Sequence, residues 1–337
     1  AEPGSHSMGQ DTSNASSPTE EPGAQQEQQE QQQHQQPPPP PQQAHTPSGG
    51  SEQAGASSSS MTTRASQYVV VTGANKGIGF ETVRRLARVE GLHTVMTARN
   101  KDRGEAALAK IREEFPSASV QFLELDIADG DSVGSFAKRL KEEVPQLDVL
   151  VNNAGIAYRN KSEAPFAEQA TETFKVNVYG TNNITKALLP FLSESDKPRI
   201  INVASQIGPA AYNDLSDSLK EEFKSTTDVD AVLALGKQFI DLAVEGGSEA
   251  VQGAGWKPTN YGASKLTLIA LTRAYAMANP NIVVASCCPG WCSTDMGTSN
   301  APRSPEEGAD TVAWLATEAT PEHSGKFFSN RTDKSFL

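Results

Sequence analysis

Tyr261 and Lys265 stand four residues apart at the start of an apolar-striped stretch, Tyr261-Gly-Ala-Ser-Lys265, that continues through Leu268, Leu271, Ala274 and Tyr275. On a helix that spacing puts a phenol and an ammonium on one face, one turn apart. A free tyrosine titrates at about pH 10 and is a poor base near neutrality. A cation one turn away favours the phenolate and should bring Tyr261 toward the working range. The phenol can then give a proton to a carbonyl oxygen, or take one from an alcohol in the reverse direction. Ser205 closes an apolar run, Arg199 to Ala204, and can hold the same oxygen by a hydrogen bond, so that charge developing there is stabilised from two sides. A lone Tyr-x-x-x-Lys pair is structural in most helices, so the surrounding elements decide.

The strongest of those elements is Tyr68 to Gly79, Tyr-Val-Val-Val-Thr-Gly-Ala-Asn-Lys-Gly-Ile-Gly. A β-branched run stops at Thr72, three glycines follow at spacings of four and two, and Val83, Leu86, Ala87 and Val89 then recur at helical intervals. That reads as strand, tight turn, helix. Gly73 permits the turn, Gly77 clears a phosphate's approach to the backbone, and Gly79 lets the helix lie close to its strand. The free N–H groups of the helix start suit a pyrophosphate, so Gly73, Asn75, Lys76, Gly77, Ile78 and Gly79 form the expected cradle. A glycine-rich loop that binds nothing is the plain alternative until the rest is read.

Further along, strands are predicted at His93–Ala98, Val120–Leu125, Asp148–Val151, Arg199–Ala204 and Ile282–Cys288, with Lys326–Ser329 as the edge strand. Helices alternate with them: Lys101–Glu114 behind an Asn100 cap, about Asp131–Val144, about Thr171–Leu192, and one begun by Ser304-Pro305-Glu306-Glu307. Strand-helix repetition with apolar strands means a doubly wound parallel sheet covered by helices on both faces, a Rossmann-type α/β domain. Ligands in such sheets sit beyond the carboxyl ends of the strands. Asp126, Ile127 and the turn Asn152-Asn153-Ala154-Gly155 fall there, either bordering the nucleotide or serving as turn chemistry. The pattern loosens between Gly208 and Pro258, where a helical insertion is expected with helices near Asp214–Phe223 and Val229–Val244.

Cofactor choice rests on one position. A fold that takes NAD normally carries a carboxylate about 20 residues past the glycines, to hold the ribose 2′-hydroxyl. Here that place is Arg99, and a guanidinium pairs with a 2′-phosphate that an acid would repel. Lys76 adds a second cation, so NADP(H) is expected. The alternative is that both are solvated surface cations, or that Asp102 rather than Arg99 faces the ribose.

Composition bounds the rest. Residues 1–66 are Gln-, Pro- and Ser-rich, with Gln25–Gln36, five prolines at Pro37–Pro41 and four serines at Ser57–Ser60, and read as a disordered tail. Ala1 to Met8 looks like an expression scar, and Met61 could serve as an internal start. Residues 67–337 suit one domain. The tail holds seven acids and one arginine and the remainder 34 acids against 28 bases, which argues against a general nucleic-acid or anionic-membrane binder. No apolar run reaches bilayer length and no signal segment opens the chain, so a cytoplasmic protein is expected. Cys287, Cys288 and Cys292 form neither a disulfide framework nor a metal site, for want of a fourth ligand. Cys288 is an inert buried thiol or one reachable beside the cofactor.

Taken together, Thr72-Gly73-x-x-x-Gly77-x-Gly79, Asn152-Asn153-Ala154-Gly155, Asn177, Ser205, Tyr261-x-x-x-Lys265 and Pro289-Gly290 resemble, in this order, the short-chain dehydrogenase/reductase superfamily. Thr97-Ala-Arg-Asn100, Cys287-Cys-Pro-Gly-Trp291, Ser304-Pro-Glu-Glu-Gly308 and the long segment before Tyr261 are similar to its NADPH-dependent carbonyl reductases. The resemblance implies a catalytic Ser205, Tyr261 and Lys265, the last also on the nicotinamide ribose, with Asn177 holding a relay water. It implies that Asp126, Ile127 and Asn153 line the adenosine side, and that Pro289, Gly290 and Thr294 embrace the nicotinamide and phosphates. Ile207 and Trp291 resemble pocket walls for quinones, aromatic ketones and aldehydes, and the long segment implies a monomer. Gln206 departs from the pattern by placing an amide beside the pocket, and the tail has no family counterpart. A second class stays open, a nucleotide-binding regulatory or scaffold protein whose proline-rich tail docks a partner. Hydrolysis is disfavoured because the domain's histidines, His93 and His323, adjoin no nucleophile motif.

Overall fold

A computed structural model describes residues 67–158 and 162–337. The tail, its opening segment and Met61 lie outside the described residues. Eight strands, β1 (Gln67–Val71), β2 (Leu92–Ala98), β3 (Ser119–Glu124), β4 (Val149–Asn152), β5 (Arg199–Val203), β6 (Val283–Cys288), β7 (Phe327–Ser329) and β8 (Thr332–Asp333), form one sheet in the order β3-β2-β1-β4-β5-β6-β7-β8. Every pairing is parallel except β7 with β8. The chain winds outward from β1 to β3, then returns to β4 on the other side of β1. The crevice therefore opens where β1 and β4 end. Val71 pairs with Val151 there, and the Thr72 amide donates to the Val151 carbonyl at 2.9 Å.

Side chains alternate between two cores, as a pleated strand requires. Val69 and Val71 face one core, with Val83 and Leu86 of α1 (Gly77–Leu86), Ile111 of α2 (Lys101–Glu114) and Leu315 of α10 (Pro305–Glu318). Val70 faces the other, with Phe136 of α3 (Gly130–Glu143), Phe174 of α4 (Phe166–Phe174), Leu188 of α5 (Thr181–Leu192) and Leu268 of α9 (Asn260–Ala278). The region between Ser205 and Tyr261 holds α6 (Ile207–Asn213), α7 (Asp217–Ser225) and α8 (Val229–Gly253). Aromatic rings clamp it down. Phe239 stacks on Phe174 with centroids 5.3 Å apart and meets Trp256 edge-on at 5.3 Å, and Trp256 meets Phe223 at 5.5 Å.

Three expectations need correction. The long helix begins at Phe166, and its middle, Lys175–Gly180, is a π turn, which apolar periodicity cannot distinguish from α-helix. The Gly208-Pro209 region, read as loose, is the helix α6, held by packing on α9 despite poor local propensity. Lys326–Ser329 is not the edge strand, because the two-residue β8, too short to show alternation, adds beyond it.

At the amino ends of the strands, away from the crevice, Arg199 is 7 % exposed and donates from Nε to the Ala319 carbonyl at the end of α10, 2.9 Å away. Burial lowers its pKa and the buried Asp148 opposes that shift. Arg199→Met should strip Asp148 of its countercharge and the helix end of its donor, destabilising the fold by about 3 kcal/mol. A urea titration reads this as a lower midpoint at unchanged slope; a variant within about 0.5 kcal/mol of the parent would contradict it.

Candidate active site

At the crevice the glycine turn has the backbone the sequence requires. Gly73 sits at φ +63°, and a Cβ there would stand 2.8 Å from the Ala154 Cα. Gly79 is held to glycine by the turn itself, since a Cβ would reach 2.6 Å from the Gly73 carbonyl and collide with the Asn153 amide. This close approach is to the turn and the Asn-Asn loop rather than to the strand. Lys76 is the N-cap of α1 and makes no side-chain cap, so its own side chain leaves the amides of the helix start unclaimed. Asn75 and Ile78 are half-buried beside it.

Asn153 and Ala154 brace the turn. Both amides donate to Thr72 Oγ1 at 3.0 Å, and Asn153 Nδ2 donates to the Thr72 and Gly73 carbonyls at 2.9 and 3.1 Å. Arg99 follows β2, where the Ala74 amide donates to the Thr97 carbonyl at 2.7 Å, tying the cradle to that strand end. Its guanidinium is exposed and has no ion-pair partner among the described residues. Asp102 lies in the first turn of α2, behind the Asn100 cap. Asp126 is half-buried, its Oδ1 accepting from the Ala128 amide at 2.9 Å. The Ile127 side chain is 4 % exposed and belongs to the core, so only its backbone is left to border a nucleotide. The loop after β6 reaches back over the turn, placing the Thr294 methyl 3.3 Å from where a Gly77 Cβ would stand. Pro289 and Gly290 open that loop, where the Gly290 amide donates to Cys288 Sγ at 3.3 Å. A cradle that side chains would fill, with the exposed Arg99 guanidinium beside it, fits a phosphorylated dinucleotide.

Ser205, Tyr261 and Lys265 meet next to this cradle. The Ser205 hydroxyl neighbours the Tyr261 phenol closely enough to lower its pKa. Thr259 caps α9 by accepting from the Gly262 amide at 3.2 Å, which sets where Tyr261 and Lys265 begin. Lys265 is 4 % exposed; its Nζ donates to the Val203 carbonyl at 2.8 Å and stands 5.7 Å from the Tyr261 ring centroid. Asn177, fully buried in the π turn, spends its side chain on a clamp. Oδ1 accepts from the Ile156 amide at 2.8 Å, and Nδ2 donates to the Ile156 carbonyl at 2.9 Å and to Ser264 Oγ at 3.1 Å. Ser264 in turn donates to the Tyr261 carbonyl at 2.8 Å. Gly155 adjoins both groups, a Cβ there being 3.1 Å from Asn177 Oδ1 and 3.6 Å from Lys265 Nζ.

Electrostatics differ from the sequence-based expectation that Lys265 draws Tyr261 down. Burial pushes the phenol up to about 12, only partly opposed by Ser205, and lowers Lys265 to about 8. Desolvation disfavours both charged forms, and a weakened ammonium cannot offset it for its neighbour. At neutral pH the phenol therefore keeps its proton, the form that donates to a carbonyl oxygen, and Lys265 is still mostly charged.

The mouth carries exposed apolar groups. Ile207 is 47 % exposed, Trp291 57 % and Met296 42 %, and the Trp291 indole N–H donates to the Gly297 carbonyl at 2.6 Å. The Gln206 amide is exposed beside Ser205. Sequence reasoning missed Met296, Ser264, the Val203 carbonyl and Asp295. Of these only Ser264, a polar residue inside the Tyr-x-x-x-Lys helix, left a visible signal. Burial pushes the thiols of Cys287 and Cys292 upward, and all three cysteines are free and buried.

The sequence model of the short chain dehydrogenases matches residues 67–216. Carbonyl reductase (NADPH) 1 of Sus scrofa is 38% identical over 276 residues, spanning 79% of this chain and 93% of that protein. The chain belongs to the short-chain dehydrogenase family. Carbonyl reductase (NADPH) 3 of Mus musculus is also similar, at 38% identity over 269 residues, spanning 77% of this chain and 94% of that one. Among solved structures, salutaridine reductase from Papaver somniferum superposes with a TM-score of 0.70 at 29% identity, covering 78% of this chain and 99% of that one. Each of these relatives aligns with more than three quarters of this chain.

Proposed function

We propose that this chain reduces carbonyl compounds to alcohols with NADPH. The observation that carries the reading is the meeting of Ser205, Tyr261 and a buried Lys265 beside the glycine cradle. When bound, NADPH supplies the hydride. Ser205 holds the carbonyl oxygen, and Tyr261 gives it the phenolic proton as negative charge develops. Lys265, fixed to the Val203 carbonyl, favours the phenolate left behind. Asn177 fixes the loop after β4 and anchors α9 through Ser264, and its backbone in the π turn is the place for a relay water. Arg99 and Lys76 face the 2′-phosphate, Asp126 and Asn153 the adenosine side, and Pro289, Gly290 and Thr294 the nicotinamide and phosphates. Ile207 and Trp291 offer apolar walls to quinones, aromatic ketones and aldehydes, with the Gln206 amide at the rim.

Relatives named carbonyl reductase (NADPH) support both reaction and cofactor. No helix among the described residues is long and apolar enough to cross a membrane, and a cytoplasmic protein acting on a small diffusible substrate suits that surface. α8 covers a face of α4 through Phe239 and Phe174, which favours a monomer. The test is initial rates of NADPH and NADH oxidation with a small quinone and an aromatic ketone. Turnover with a strong NADPH preference supports the proposal; silence from folded, NADPH-binding protein overturns it.

The pH profile follows from the two shifts. Tyr261, at about 12, keeps its proton throughout the working range, whereas Lys265 loses its positive charge as pH rises through about 8. Reduction should therefore fall above about pH 8 with Lys265, not at the higher pH where the phenol titrates. kcat measured from pH 6 to 10 checks this, and a flat profile to pH 10 would remove Lys265 from the proton-transfer step.

A further inference from the structure

Lys76 is not a free cation. Its Nζ lies 2.5 Å from Asp295 Oδ2, on the loop between β6 and α10 that folds over the glycine turn. The two side chains are 60 and 74 % exposed, and a pair so open to water contributes little to holding a fold. The loop has other anchors. Trp291 Nε1 is bonded to the Gly297 carbonyl at 2.6 Å, the Gly297 amide to Thr294 Oγ1 at 3.1 Å, and Arg303 to Asn330 Oδ1 at 2.7 Å. Cys292 and Arg303 also pair as a β-bridge across the loop's base. What the Asp295 carboxylate changes is the charge at the cradle, and the Thr294 contact with the turn keeps it there.

We infer that Asp295 is a built-in competitor for Lys76, setting how tightly the chain holds the 2′-phosphate of NADP(H). The inference rests on the proposed NADPH chemistry and concerns the charge that any phosphate must meet on arrival. A dianionic phosphate reaching Lys76 displaces a carboxylate from it or shares it, and in either case meets a like charge on the same loop. A 2′-hydroxyl meets no such competition. Asp295 therefore weakens NADPH selectively, which keeps the oxidised cofactor from lingering after each turnover.

Binding, read by fluorescence titration of the full chain at low salt, tests this without turnover. Asp295→Asn, which keeps size and hydrogen bonding while removing the charge, should tighten NADPH about 3- to 10-fold and leave NADH within about twofold. The gain should shrink at high salt, where exposed charges are screened. In a Lys76→Met background the same change should bring much less gain, because the two side chains act on one phosphate through each other. Equal tightening of both cofactors, or weaker NADPH, would overturn the inference, the latter marking Asp295 as a strap that holds the loop closed. A parent chain that binds NADPH with an Asp295→Asn variant that binds identically sinks this inference alone. A folded parent that binds neither cofactor sinks the proposed function with it.

Discussion

Tyr261→Phe is expected to cut carbonyl reduction by about 1,000-fold, within the range a positioned acid contributes, while NADPH affinity stays within about twofold. Phenylalanine retains the ring that stands 5.7 Å from Lys265 Nζ and loses only the hydroxyl that Ser205 engages. Lys265 keeps its bond to the Val203 carbonyl, and Ser205 Oγ still accepts from the Ile207 amide at 3.2 Å. The cradle is untouched, since Gly73, Gly79 and Asn153 are held by contacts with one another and with Thr72 and Ala154. The loss should therefore fall on kcat rather than on cofactor binding. Steady-state rates beside an NADPH titration of the same variant separate the cases. Parallel loss of binding and turnover would make Tyr261 a structural residue of α9.

Why so much of this site was legible in the sequence is a matter of which physics acts locally. Asn100 and Ser304 predicted helix starts because capping satisfies donors within the next turn. In the fold Asn100 accepts from Arg103, and Ser304 forms a reciprocal box with Glu307. The glycine spacings constrain the backbone directly, so the cradle could be read residue by residue. Tyr261 and Lys265 share a face by helical period alone. What stayed hidden depends on partners distant in the chain. The π turn around Asn177 carries the same apolar periodicity as its flanks. Helix α6 runs against its own propensities and exists because α9 covers it. The upward shift of Tyr261 reflects how deeply its hydroxyl is enclosed, which sequence spacing cannot express.

Lys76 gives the sharpest contrast, because its place in the motif was readable and its partner was not. Asp295 lies 219 residues onward. On the proposed reading, with Lys76 shared, the 2′-phosphate would depend mainly on Arg99, which is exposed at the end of β2 and has no ion-pair partner among the described residues. Arg99→Asp removes a charge-assisted contact worth about 1.5–3 kcal/mol and sets a like charge in its place. NADPH binding should weaken about 100-fold or more, while NADH, whose ribose hydroxyl can donate to the new carboxylate, changes little or tightens. Because Arg99 makes no ion pair among the described residues, the fold should be unaffected, and thermal unfolding of the variant checks that point. Titration of both cofactors decides the matter. Equal weakening of NADPH and NADH would mean that Arg99 shapes the cradle as a whole, and the assignment of the 2′-phosphate to it would fail. Adding Asp295→Asn to Arg99→Asp should recover part of the lost NADPH affinity by freeing Lys76, because one phosphate sums the charges around it.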